Sequence, residues 1–337
     1  MGEPLRFAII GCGKIAGRHA EQASAHGKLV AVCDIIKEKA DALASQYKAH
    51  PYYSLETLLA AEKNIDLIAV CTPNWLHAEQ SIHCLRAGHH VLCEKPLAIA
   101  KIDAEEMIWH AQENKRKLFV VKSTRYNPAL IELKKLLHEG RAGRTLSFQL
   151  NCFWNRPPAY YEGTWRGKIN TDGGTLFTQF SHYIDAMIWL FGGVKSVNGF
   201  RKNQIHAGSI EFEDSGIASL EMDNGVIGGL NWSVNTFQKN MEVSLTILAE
   251  KATLRLAGEY MNQVDYQLGE GIKMNPSDEG RANDYGFYKG SMSNHDKVYE
   301  HLVKALKDDQ HPFTSAVDGL KTVEAIELIY NSIPLDK

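Results

Sequence analysis

The chain has 337 residues, 44% of them hydrophobic and 23% charged, with a formal net charge of −3. These proportions exclude disorder and suit a packed globular protein with room for two domains. There is no basic run to track a phosphate backbone and no apolar stretch near the roughly 18 residues of a membrane helix, so neither nucleic acid nor a membrane is an expected partner. The first residues lack the basic-then-apolar order of a secretory leader, and Arg6 stands where myristoylation needs Ser or Thr. A soluble, cytoplasmic protein is expected. Cys12, Cys33, Cys71, Cys84, Cys93 and Cys152 form no C-x-x-C pair and have no matching histidine spacing for zinc. Buried thiols in a reducing compartment are expected, and no metal site.

In chain order, apolar runs at Leu5 to Ile10, Leu29 to Cys33, Asp66 to Cys71, His90 to Cys93 and Leu118 to Val121 read as strands. Between them "IAGRHAEQASAHG", "KEKADALASQY", "SLETLLAAE", "HAEQSIHCLRAG" and "DAEEMIWHAQENK" carry helical spacing, and Gly27 and Gly88 suit helix ends. Alternating strand and helix predicts an α/β Rossmann domain, a doubly wound parallel sheet covered on both faces.

After "STRYNP" a helix is expected from about Asn127 to His138, and then the texture changes. Thr145 to Trp154, Ile217 to Met222, Val226 to Trp232, Glu242 to Leu248 and Thr253 to Leu256 predict strands of an open, mostly antiparallel sheet. A helix over Gly174 to Phe191 interrupts them. Residues 258–292, rich in Gly, Asn, Asp and Tyr, read as a long loop, and helices follow at His295 to Lys307 and Val317 to Tyr330. The division is therefore 1–125, a Rossmann domain, and 126–337, an α+β domain for substrate binding and oligomerisation whose final helices are free to return to the first domain.

The first strand runs into "GCGKIAGRHA", where Gly11, Gly13 and Ala16 fill G-x-G-x-x-A. Gly11 serves a tight turn, Gly13 leaves bare backbone for a pyrophosphate, and Ala16 lets the helix pack on the strand. Asp34 follows about twenty residues on, at the end of the second strand, placed to accept ribose hydroxyls and to repel a 2′-phosphate. Ile35 and Ile36 come next, where an NADP enzyme more usually offers Arg or Ser. NAD is the expected cofactor, and Lys14 and Ile15 complete its loop. "CTPNWLHAE" adds Thr72, Pro73, Asn74 and His77 as candidate cofactor contacts, although a histidine in a first helical turn often only packs or caps.

With G-x-G-x-x-A, "CTPNWLH" and "CEKPLA" in this order, the chain resembles the Gfo/Idh/MocA family of NAD(P)-dependent oxidoreductases. The resemblance continues through "GGTLFTQFSHYIDAMIWLFG", similar to the family segment that opens on paired glycines and ends in H-x-x-D. It implies that Lys95 is the catalytic lysine, beside the nicotinamide, with Glu94 at the cofactor too. Oxidising an alcohol needs a group that takes the hydroxyl proton, and burial near a cation would lower a lysine from its ordinary value of about 10.4. His182 carries over as the second catalytic residue, with Asp185 one turn on along the same face. Many family members have Asp where this chain has Thr178, which favours Lys95 over His182 as base.

The loop "FWNRPPAYYEGTWRGKINTDGG" is the expected substrate wall: Arg156, Arg166 and Lys168 suit an acidic group, Trp165 and the tyrosines suit a sugar or base, and the same residues suit a subunit interface. The texture is nearest to family members that oxidise C3 of UDP-N-acetylglucosaminuronic acid in surface-polysaccharide synthesis. That resemblance implies Arg125, Asn127, Tyr160, Arg166, Thr178, Asp185 and His295 as substrate contacts, and a homo-oligomer, dimer or tetramer. An inositol or free-sugar dehydrogenase, an NAD-dependent glycosidase and a non-catalytic NAD-binding regulator are the alternatives. Lys95 and His182 weigh against the last.

Overall fold

The computed structural model describes residues 3–276, 282–284, 289–308 and 315–336. The first elements in chain order are β1 (Arg6–Ile10), α1 (Ala16–His26), β2 (Lys28–Cys33), α2 (Lys37–Tyr47), β3 (His50–Tyr52), α3 (Leu55–Ala61), β4 (Leu67–Val70), α4 (His77–Arg86), β5 (His90–Cys93), α5 (Lys101–Glu113) and β6 (Leu118–Val120). Then come α6 (Pro128–His138), β7 (Thr145–Phe153), α7 (Ile169–Asp172), α8 (Ser181–Phe191), β8 (Val194–Lys202), β9 (Ser215–Met222), β10 (Ile227–Ser233), β11 (Glu242–Ala249), β12 (Ala252–Ala257) and β13 (Gln263–Gly269). β14 (Ala282–Asp284), β15 (Lys289–Met292), α9 (His295–Lys307), α10 (Ala316–Ser332) and β16 (Leu335–Asp336) complete the described chain. Contacts divide it into two compact units, Met1–Val121 with His295–Val323 and Lys122–Asn294 with Glu324–Lys337.

In the first unit six strands lie parallel in the order β3-β2-β1-β4-β5-β6, the doubly wound arrangement. β1, β4 and β5 are almost wholly buried, as continuous apolar runs require when helices cover both faces. α1 buries Ala16, His19, Ala20 and Ala23, the stripe that helical spacing puts on one face. Small side chains bring it close to the sheet. β3 was not among the expected strands: it has three residues with Pro51 in the middle, tolerated at the sheet edge where the missing N–H breaks no inner ladder.

The second unit holds an eight-stranded sheet in the order β13-β12-β11-β7-β10-β9-β8-β16. Its pairs are antiparallel except β7 with β10 and β8 with β16. The run from Gly174 to Phe191 is helical but not uniform: Leu176–Phe180 is a π-helical turn that continues into α8. α8 is buried from Ser181 to Ile188, and Phe191 at its end stacks on Phe148 of β7 at 4.5 Å between ring centres. Gly228 of β10, paired with Phe148, makes room for that ring. The expected loop over 258–292 is corrected in part. β13 lies within it, β14 and β15 pair as a ribbon, and 277–281 and 285–288 lie outside the described residues.

A Cβ added at Gly228 would collide with the Phe148 ring. Gly228→Ala therefore overpacks the sheet and lowers stability by about 1–3 kcal/mol, to be read as a lower urea midpoint with unchanged slope.

Candidate active site

In the first unit the candidate residues gather at the carboxyl ends of β1, β2, β4 and β5, around the switch point between β1 and β4 where open α/β sheets bind ligands. Gly11 turns with φ +88°, and a Cβ there would meet the Cys71 backbone carbonyl at 2.8 Å. Only glycine lets β1 turn this near the end of β4. A Cβ at Gly13 would meet nothing within 4 Å, so the loop opens to space on that side, and Lys14 and Ile15 lead from it into α1. Asp34 borders the loop: its Oδ2 accepts the N–H of Cys12 and its Oδ1 that of Ile36, each at 2.8 Å. Each oxygen keeps acceptor capacity for a hydroxyl. Burial, with Asp34 adding to it, pushes the Cys12 thiol up to about 12. These features fit a dinucleotide.

Thr72, Pro73 and Asn74 form the turn after β4, with the Thr72 hydroxyl donating to Gln80 Oε1 at 2.7 Å. His77 pins this turn to the next one. Its Nδ1 lies 2.7 Å from the Pro96 carbonyl oxygen and its Nε2 2.8 Å from that of Thr72, so whichever nitrogen carries the proton donates to a backbone carbonyl. Burial lowers the His77 pKa against those acceptors, and the neutral ring supplies one N–H between the two carbonyls. Lys95 is half-buried and its peptide bond to Pro96 is cis. Glu94 turns inward, its Oε1 2.9 Å from His19 Nε2 and 3.4 Å from His295 Nε2. Burial opposes its ionisation, yet the two histidines hold its carboxyl well below the usual range. The ligand-capable atoms of His19, Glu94 and His295 all lie within 4.8 Å of one another, an arrangement open to protons or to a cation. His295 thus keeps company with Glu94.

In the second unit Asp185 is 1% exposed and accepts both Arg125 Nε and Nη2 at 2.8 Å, with Lys122 Nζ at 3.0 Å. Burial works to raise its pKa, but Lys122 and Arg125 hold it below the ordinary value. His182 lies buried one turn before Asp185 on α8. Asn127 is fully buried and committed to structure, donating to the Tyr260 carbonyl at 3.2 Å and accepting from Asn294 at 2.8 Å. Tyr160 accepts from Gln179 at 3.0 Å, and the Arg166 guanidinium sits 4.7 Å from the ring centres of both Tyr160 and Trp165. Arg166 Nε is buried without a hydrogen-bond partner. Arg156 is also buried and bonds Gln179 at 2.6 Å, while Lys168 is exposed.

Position 178 holds a surprise. The Thr178 hydroxyl donates to the carboxylate of buried Asp172, whose other oxygen accepts the Gly167 N–H at 2.8 Å. A carboxylate stands beside Thr178 after all, delivered from six residues upstream. Sequence reasoning also passed over His19 and Lys122. His19 shares the buried stripe of α1, and Lys122 directly follows an apolar strand; both are signals that a polar group is being taken inside.

Residues 5–122 match the family model described as the oxidoreductase family, NAD-binding Rossmann fold, and residues 134–335 match its C-terminal alpha/beta domain. The chain belongs to the Gfo/Idh/MocA oxidoreductase family. It is similar to D-glucoside 3-dehydrogenase of Escherichia coli K12, 31% identical over 256 residues that make up 71% of this chain and 72% of the relative. It is also 33% identical over 202 residues to the Bacillus subtilis scyllo-inositol 2-dehydrogenase (NADP+) IolU, covering 58% of this chain and 62% of that one. Among solved structures, the WlbA dehydrogenase of Bordetella pertussis in complex with NADH and UDP-GlcNAcA superposes with a TM-score of 0.88 and 34% identity over 98% of this chain and 96% of that one. The protein is a dehydrogenase acting on a CH–OH group of a sugar or polyol, with NAD as its cofactor. No described helix is long and apolar enough to cross a membrane.

Breaking the buried Asp185 cluster leaves cations without their carboxylate. Asp185→Ala is expected to cost about 3–5 kcal/mol of stability, measured by urea unfolding, with Asp185→Asn costing less.

Proposed function

We propose that the chain oxidises the C3 hydroxyl of UDP-N-acetylglucosaminuronic acid, or a close nucleotide-sugar analogue, to the ketone. The observation that carries this reading is the 34% identity to two WlbA dehydrogenases along 98% of the chain, both crystallised with UDP-GlcNAcA. Arg166 supports it. An arginine whose guanidinium lies 4.7 Å from two aromatic ring centres, with a buried N–H unsatisfied, suits a sugar acid's carboxylate. The second reading, a glucoside or inositol dehydrogenase, is favoured by the curated relatives named for those substrates.

Bound NAD+ supplies the hydride acceptor. The Gly11–Gly13 loop and the N-terminus of α1 hold its pyrophosphate, and Asp34 takes the adenosine ribose hydroxyls. Lys95, as the neutral amine, accepts the proton from the substrate hydroxyl while the carbon gives up its hydride, so that alcohol becomes ketone and the lysine becomes ammonium. His182 binds the substrate or relays the proton outward, and Asp185 fixes Arg125 and Lys122 on the same unit. The chain assembles as a homo-oligomer through the outer face of the second sheet, where Phe200 is 72% and Ile217 63% exposed on neighbouring strands.

Mixed with UDP-N-acetylglucosaminuronic acid under single-turnover conditions, the purified protein should form NADH, and 2-oxoglutarate should reverse the rise if the cofactor is recycled in place. Turnover of inositols or free glucosides without any response to the sugar nucleotide would instead establish the second reading. Lys95→Ala should lower turnover by about 10²–10⁴-fold while NAD binding persists; retained activity removes Lys95 from the mechanism. Ile217→Asp should shift the sedimentation coefficient to that of the monomer, and an unchanged assembly would locate the interface elsewhere.

A further inference from the structure

Three polar side chains from distant parts of the chain meet inside the first unit. His19 lies on the buried stripe of α1, Glu94 directly follows β5, and His295 opens α9, which belongs to the same unit. All three are buried. Glu94 Oε1 is 2.9 Å from His19 Nε2 and 3.4 Å from His295 Nε2, and the ligand-capable atoms of the three residues all lie within 4.8 Å of one another. Steps of 75 and 201 residues separate the members, so no spacing motif in the chain announces the set.

Hydrogen bonding alone accounts for His19 but not for its partners. His19 can donate from Nε2 to Glu94 and accept the Tyr299 hydroxyl at Nδ1, 2.9 Å away, which uses both of its nitrogens. His295 has one long contact with Glu94, and its Nδ1 is buried without a hydrogen-bond partner. A polar ring so placed gives up water for little return. The polar contacts of Glu94 are those two imidazole nitrogens and the backbone N–H of Lys95, whereas a buried carboxylate calls for a cation or a metal.

We propose that His19, Glu94 and His295 form a binding site for a divalent transition-metal ion of the zinc class, with the two Nε2 atoms and Glu94 Oε1 as ligands. Bonds of about 2.0–2.1 Å at tetrahedral angles put ligand atoms about 3.3 Å apart. The two separations measured from Glu94 Oε1 bracket that value. Two imidazoles and one carboxylate are a donor set that zinc uses with a non-protein ligand in the fourth position, while magnesium and calcium favour oxygen donors. The outer contacts agree. Glu94 Oε2 accepts the Lys95 N–H at 3.1 Å, which leaves Oε1 for the ion, and the Tyr299 oxygen is placed to accept the N–H that a ring ligating through Nε2 carries at Nδ1. Coordination at Nε2 gives His295 the strong contact that a 3.4 Å separation lacks. The ion pins α1, the turn after β5 and the start of α9 together and compensates the buried carboxylate.

The full chain, stripped with a chelator and desalted, would be titrated with zinc in competition with a chromophoric chelator, and with cobalt(II) as a spectroscopic probe. Wild type should take up one equivalent of zinc, show the visible bands of tetrahedral cobalt, and unfold at a higher temperature with zinc than without it. Tyr299→Phe keeps all three ligands and should weaken zinc binding by about tenfold. His295→Leu and Glu94→Gln should weaken it further and lose the cobalt bands, and His138→Gln, at an exposed histidine, should change neither readout. If a ligand variant does not fold, Tyr299→Phe and the wild-type cobalt spectrum decide. Less than one equivalent of zinc on wild type, or binding to the folded variants as tight as to wild type, marks adventitious surface binding and overturns the proposal. No substrate enters the test, so its outcome is independent of the reaction proposed above.

Discussion

A carboxylate taken out of water must be compensated where it stands, and Glu94 draws the first unit together around that requirement. Its partners come from both ends of the chain. His19 belongs to the helix that the glycine loop opens, and His295, 201 residues further on than Glu94, opens α9. α9 also supplies Tyr299, which backs His19 and packs on Phe7 of β1 at 5.9 Å between ring centres. The late helix thus belongs to the early unit for a reason beyond apolar burial: without it, His19 loses its second partner and Glu94 one of its two imidazoles. The cofactor loop, the lysine turn and the C-terminal segment become one hydrogen-bonded structure.

The second unit compensates its own buried carboxylate differently. Asp185 meets cations, Lys122 and Arg125, and the bidentate Arg125 contact fixes a plane as well as a charge. Imidazole nitrogens meet the Glu94 carboxylate, whereas lysine and arginine cations at hydrogen-bond distance largely cancel the charge of Asp185. Two acids of similar burial are therefore compensated by different means. Glu94 ties α1, the Lys95 turn and the start of α9 together, and Asp185 is an anchor that orients the segment from Lys122 to Arg125 against α8. His77 shows a third arrangement: it lies between the carbonyls of Pro96 and Thr72, and as a neutral ring donates to one of them.

Most of the architecture was legible because its period is written in apolar residues. The five long-range parallel strands and the helices between them are buried on known faces, so alternation and helical spacing had to appear. Where the structure departs from that reading, burial is weak. β13 is an edge strand whose Gln263, Asp265, Tyr266 and Leu268 are exposed, and in β8, next to the two-residue edge strand β16, only Val197 of the nine residues is buried; neither offers a continuous apolar signature. At the site the same contrast holds. The glycine turn and Asp34 could be read in order because backbone geometry demands them, while the Asp172–Thr178 pair could not. It joins residues through a fold-dependent turn, with Gly167 as third member, and no periodicity records that.

This division explains why the cofactor is better specified than the substrate. The candidate dinucleotide site combines a turn that only glycine permits, a helix terminus and an acid held by two backbone N–H groups, all within the first 36 residues. Several of the candidate substrate groups, Tyr160, Arg166 and Thr178 among them, are in contrast side chains on the stretch from Trp154 to Thr178, held by Gln179, Asp172 and aromatic stacking and supported by few regular elements. Such a stretch changes its lining without disturbing either sheet. Relatives named for glucosides, inositols and a nucleotide sugar acid can therefore share one scaffold, and the chemistry that distinguishes them must be sought in the groups that Arg166 and its neighbours present.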